Sequence, residues 1–68
     1  MTREEYNRYT GMAYTAKFRT LDFAINMSNN EHNRNKTKIV ILENGIYAVM
    51  QNKVANKFLQ AGYERYYA

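Results

Sequence analysis

The chain has no cysteine, no proline and no tryptophan, and only one histidine and three glycines in its 68 residues. Without cysteine there is no disulfide and no thiolate metal site, which accords with a reducing compartment; a cytoplasmic location is the expectation. One histidine cannot build an imidazole cage, so neither a metal nor a cofactor is expected. Long apolar runs are missing too. The longest aliphatic stretch is Ile39-Val40-Ile41-Leu42, far short of a membrane span, and Met1–Glu5 carries both signs of charge, unlike a secretory leader. Acidic groups are few and scattered: Glu4, Glu5, Asp22, Glu31, Glu43 and Glu64. No spacing pairs two of them for acid–base work, His32 sits in a polar stretch, and there is no phosphate-cradling glycine loop or nucleophile motif. The sequence does not read as an enzyme.

Length adds a constraint. A chain this short forms one domain, 1–68, and buries only about 60% of the surface it exposes when unfolded. With disulfides and metals excluded, oligomerisation or a partner protein is the remaining way to complete its core. A net charge of +4 and a pI near 9.5 permit an anionic partner. Seven tyrosines and nine asparagines give a bias towards adaptable contact surfaces.

Thr2-Arg3-Glu4-Glu5 fits a capping box, with Thr2 as N-cap and Glu5 reaching back to it. From there the spacing predicts a long N-terminal helix to about Met27. Tyr14, Phe18, Leu21 and Ile25 form one stripe; Met12, Ala16, Phe23 and Met27 form a second on the opposite side. Gly11 interrupts the pattern. It reads as a tolerated glycine in one helix, with a division into two helices as the other reading. Residues 28–37 are all polar and predict a solvated loop, with Asn29 or Asn30 available as a left-handed helix cap.

Asn44-Gly45 between two apolar runs predicts a β-hairpin, strands at about 38–43 and 46–50, because a type I′ turn needs positive φ at both central residues. A two-residue turn sets Glu43 opposite Ile46 and Ile39 opposite Met50. One face then carries Val40, Leu42, Tyr47 and Val49; the other carries Ile39, Ile41, Ile46, Ala48 and Met50. Both faces are apolar. After the hairpin, Asn52 caps a short helix over about 52–61 with Val54, Ala55, Phe58 and Leu59 on one side, and Gly62 ends it. Residues 63–67 suit a third short strand, which a helical crossover would return parallel to its neighbour, with an ordered but irregular tail as the other reading. The fold class is α+β.

Ala55, Phe58, Leu59, Gly62 and Tyr63 follow the order strand, short helix A-x-x-(L/F)-(L/I), glycine, final strand. Over residues 45–64 this resembles a pattern frequent in small phage-encoded accessory proteins. The resemblance implies a phage or mobile-element factor in a host cytoplasm that works by binding, and in some cases inhibiting, another protein. It carries over no catalytic residue.

Two-sided hydrophobicity and a small core point to a self-associating interaction module. Its expected interface is Ile39, Ile41, Ile46, Ala48 and Met50, with Met12, Phe23 and Met27 from the helix and Tyr63, Tyr66 and Tyr67 from the tail. A second reading is a DNA- or RNA-binding protein using Arg34, Lys36, Lys38, Lys53 and Lys57, whose charges suit phosphates. A structural role in a virion or larger assembly is a third.

Overall fold

In the computed structural model, which describes residues 1–67, Thr2 opens the first helix as its sequence requires. The Thr2 hydroxyl accepts the Glu5 backbone N–H at 3.1 Å, and the Glu5 carboxylate accepts the Thr2 backbone N–H at 3.1 Å. The helix, α1 (Arg3–Thr10), nevertheless stops after eight residues. The long helix is not there. Gly11 ends α1 with its N–H donating to Asn7 O, and a turn leads into a short strand, β1 (Ala16–Phe18). A second helix, α2 (Leu21–Asn29), follows from an extended Thr20. Phe18 and Leu21, one stripe on the helical reading, therefore belong to different elements, and Met12 lies in the connection. Thr10, Thr15 and Thr20 mark the breaks. Threonine is a mediocre helix former, and here the Thr10 and Thr15 hydroxyls bond back to the Tyr6 and Tyr9 carbonyls. What decides is tertiary: β1 finds hydrogen-bonded pairing, and α2 finds a sheet face to cover.

The remaining elements are β2 (Thr37–Ile41), β3 (Tyr47–Gln51), α3 (Asn52–Gln60) and β4 (Glu64–Tyr66). The sheet order is β1-β3-β2-β4, and every neighbouring pair is antiparallel. β4 is thus antiparallel to its neighbour β2, against expectation; it runs parallel to β3, one strand away. The sheet consists of two interlocked β–α–β units. The β1–α2–β2 unit leaves a gap that β3 fills, and β3–α3–β4 leaves a gap that β2 fills. Both crossovers step the same way across the sheet but start from strands of opposite direction. A common handedness then places their helices on opposite faces.

The Asn44-Gly45 turn forms with φ of 63° and 73°, but the register differs from a plain two-residue hairpin. Leu42 N–H donates to Ile46 O at 2.7 Å, while Ile46 N–H reaches Glu43 O at 3.5 Å. Leu42 and Glu43 both stand opposite Ile46, the two-against-one arrangement of a bulge. Ile41 therefore pairs with Tyr47, Val40 with Ala48 and Ile39 with Val49. Since side chains alternate, a one-residue slip exchanges every β3 side chain between faces.

One face accordingly gathers Val40, Leu42, Ala48 and Met50 beneath Ala55 and Phe58 of α3. Tyr6, Tyr9 and Tyr63 surround the fully buried Phe58 ring with centroids 5.9, 6.2 and 5.3 Å away. The other face sets Ile39 and Val49 beneath Ala24 of α2. The chain covers both of its own sheet faces. Two helix-end expectations also change. Asn30 is extended, and between α2 and β2 the left-handed asparagine is Asn35 instead. Asn52 begins α3 without capping it; its side chain donates to Asn35 O. Gly62 has the positive φ, 100°, expected of a helix-ending glycine. Among the described residues, no helix is long and apolar enough to cross a membrane.

Candidate functional site

The residues expected to form one interface are dispersed. Ile39, Ala48 and Met50 are buried inside the chain, on different sheet faces, so they are core and not surface. The slipped register is the reason: it turns Ala48 and Met50 towards α3. Ile46 and Tyr63 pack partly buried against the α3 cluster, whereas Met27 and Tyr66 pack against the α2 cluster. Ile41 is partly buried. Phe23, Met12 and Tyr67 are exposed.

Phe23 has exposed aromatic company. The helix α2 meets the sheet through small buried residues, Ala24 and Ser28, which seat it above Ile39 and Val49. Nearer the hairpin turn, Phe18, Tyr47 and Ile41 lie in one cross-strand row and stay only partly buried. The Phe23 ring stacks on Phe18, centroids 6.3 Å apart at 22°, with 63% of the residue exposed. Phe23, Phe18, Tyr47 and Ile41 thus make an aromatic patch at one end of the α2 face. Among the described residues, β1, which supplies Phe18, has no strand on its outer side.

Cations collect on the opposite side. The outward stripe of α3 is Lys53, Asn56, Lys57 and Gln60, all exposed. Lys38 Nζ donates to Asn56 Oδ1. Asn52 N–H donates to Lys36 O at 3.0 Å, and Asn52 Nδ2 to Asn35 O at 3.1 Å; together they dock the loop before β2 onto the start of α3. Two further cations join that sequence reading did not assign. Arg65 stands opposite Val40, hence on the α3 face, its guanidinium 4.3 Å over the Tyr67 ring and its buried Nε without a hydrogen-bond partner. Arg8 lies over the Tyr9 ring at 5.0 Å, and Lys57 Nζ is 5.9 Å from the same ring. Only strand order could have revealed Arg65, because its face depends on which strand β4 joins.

Arg34 is apart from this group. Its guanidinium donates to Asn29 O at 3.5 Å, at the end of α2. There it borders a hollow of about 190 Å³ with Ser28, Asn35, Thr37 and Tyr66. The Ser28 and Thr37 hydroxyls are satisfied within the chain: they are 3.0 Å apart, and Thr37 also donates to Asn33 O at 3.2 Å. Lys38 and Arg65 border it as well, but strand alternation sends their side chains to the α3 face.

Among the described residues the one ion pair joins Arg3 to Glu43 at 3.3 Å, away from these lysines. A carboxylate, Glu5, rims a depression with Lys57 and Gln60 of the α3 stripe. Hydrogen bonds from the Thr2 backbone and hydroxyl hold Glu5 below the usual carboxylate range. No cluster of three metal-ligating side chains occurs among the described residues.

No family model, curated protein or solved structure matches this chain.

Proposed function

We propose that the protein is a small non-enzymatic interaction module that acts by binding another protein through the aromatic patch of Phe18, Phe23, Tyr47 and Ile41. The observation carrying this reading is Phe23, a large apolar side chain 63% exposed and stacked on a second phenylalanine. Aromatic side chains lose little conformational entropy on docking and supply much of the energy of protein interfaces. The setting is that of a phage or mobile-element accessory factor in a host cytoplasm, where binding can inhibit its target; this part rests on the resemblance over residues 45–64.

The sheet faces do not call for self-association. Each apolar sheet face already has a helix of the same chain over it, so a second copy is not needed to complete the core. The aromatic patch remains available to a second copy.

The test compares the wild-type protein with Phe23→Ser. Both should keep the same circular dichroism spectrum. Tagged wild type should retain a specific co-purifying protein that Phe23→Ser loses. If wild type sediments as a concentration-dependent oligomer that Phe23→Ser abolishes, the patch serves a second copy instead. If both variants behave alike in both experiments, the patch has no binding role.

A further inference from the structure

We propose that the side of the molecule formed by α3, β2 and the β4 tail is a docking surface for single-stranded nucleic acid, separate from the aromatic patch. Lys36, Lys38, Lys53, Lys57, Arg8 and Arg65 come from five segments of the chain and meet on this side. None is paired with a carboxylate among the described residues. Apart from the Glu4 and Glu5 charges near Arg8, the structure has gathered like charges without neutralising them, an arrangement that costs stability and is relieved by an anion.

The chemistry of the stripe favours phosphates over an acidic protein. A protein interface needs a dehydrated apolar centre with a polar rim. Here the exposed α3 stripe is Lys53, Asn56, Lys57 and Gln60, with no apolar residue among them. Lys53 and Lys57 stand one helical turn apart, about 6 Å along the axis, a reach that suits successive phosphates of an extended strand. Lysines act as point charges that hold a backbone without reading its sequence.

Tyr67 argues for a single strand over a duplex. Tyr67 follows directly on Tyr66, whose strand partner Ile39 is next in sequence to Lys38. Arg65 covers one face of the Tyr67 ring at 4.3 Å, yet the residue is 73% exposed, so the ring's other face is open to solvent. An open tyrosine face bordered by cations is a platform for an unstacked base, and a duplex offers no such base along its length.

The experiment is fluorescence anisotropy with a labelled 20-nucleotide oligo-dT, the matching oligo-rU, a duplex of equal length and polyglutamate, across a salt series. About four phosphate contacts on a single strand give a slope of log affinity against log salt near −3, or about 50-fold weaker binding at 200 mM than at 50 mM salt. Lys53→Gln with Lys57→Gln should reduce that slope by about 1.4. Tyr67→Ala should weaken oligonucleotide binding at least about 5-fold with the slope unchanged. Phe23→Ser should bind as wild type does, which separates this surface from the proposed protein-binding patch. The proposal is overturned by absence of oligonucleotide binding at 50 mM salt. It is equally overturned by polyglutamate binding as tightly as oligo-dT, or by a preference for the duplex that Tyr67→Ala does not change.

Discussion

Leu42 donates its backbone N–H to the carbonyl of Ile46 at 2.7 Å, and that one bond decides which side chains meet which helix. With Glu43 accommodated as an extra residue opposite Ile46, Ala48 and Met50 turn to α3 while Tyr47 and Val49 turn to α2. In the unbulged register the two sets would change places, and Tyr47 would be driven against Phe58.

Deleting Glu43 removes the extra residue and leaves Leu42 opposite Ile46 across a plain two-residue Asn44-Gly45 turn, so the observed register and both faces are kept. The variant should still unfold cooperatively, losing the exposed Arg3–Glu43 ion pair at a cost of less than about 1 kcal/mol. Gly45→Ala keeps the register, and its new Cβ meets nothing within 4 Å, but the residue stays at a φ of +73°. It should remain folded and cost about 1 kcal/mol. Urea titration followed by circular dichroism measures both, and loss of a cooperative transition in the deletion variant would contradict the bulge.

Phe58 is fully buried and packed by three tyrosine rings, so Phe58→Ala should cost about 3–5 kcal/mol. Domains hold only about 0.05–0.15 kcal/mol of stability per residue, so the variant should lose a third or more of the domain's stability and melt at a markedly lower temperature. Phe23→Ser should cost less than about 1 kcal/mol, since Phe23 stands mostly in water. Comparable losses from both would contradict the placement of the core.

The capping box carries a pH signature. Because the folded pKa of Glu5 lies below its unfolded value, its contribution is present above the unfolded pKa and is lost as pH falls through the folded one. Thr2→Ala should destabilise the domain at neutral pH by about 1 kcal/mol. The difference between the variant and wild type should narrow in acid. Thermal melts at neutral and acidic pH measure it.

Tyr63 gives the opposite limb. Burial beside Phe58 and Tyr6, with the Glu43 charge nearby, pushes its phenol above the ordinary tyrosine range. The folded state thus holds the proton that the unfolded state releases. The stabilisation is complete below the unfolded pKa and is lost as pH rises through the folded pKa. Wild type should lose stability in alkali more steeply than Tyr63→Phe, as read from melting temperatures between pH 8 and pH 11.

Some of this architecture is local, and local chemistry made it legible. Thr2 and Glu5 satisfy each other within one helical turn; Asn44 and Gly45 supply the two positive φ values of a tight turn; Gly62 ends α3. The helix face of Ala55 and Phe58 follows from spacing alone, and so does the cationic stripe behind it. Lys36, Lys38, Lys53 and Lys57 accordingly fall together as their positions suggest, while Arg34, equally close in sequence, is drawn off to the end of α2.

Tertiary structure decided the rest, because the deciding energies were not local. A three-residue strand such as β1 has no stability of its own and exists only by pairing with β3, so Phe18, Leu21 and Ile25 keep a helical spacing that the chain does not use. The extra residue at Glu43 moves one strand by one position, a small change in the turn that reverses every side chain beyond it. The sequence by itself determined that the sheet would be apolar on both faces. Only the fold decided that α2 and α3, carried to opposite sides by two crossovers stepping the same way, would cover them from within one chain.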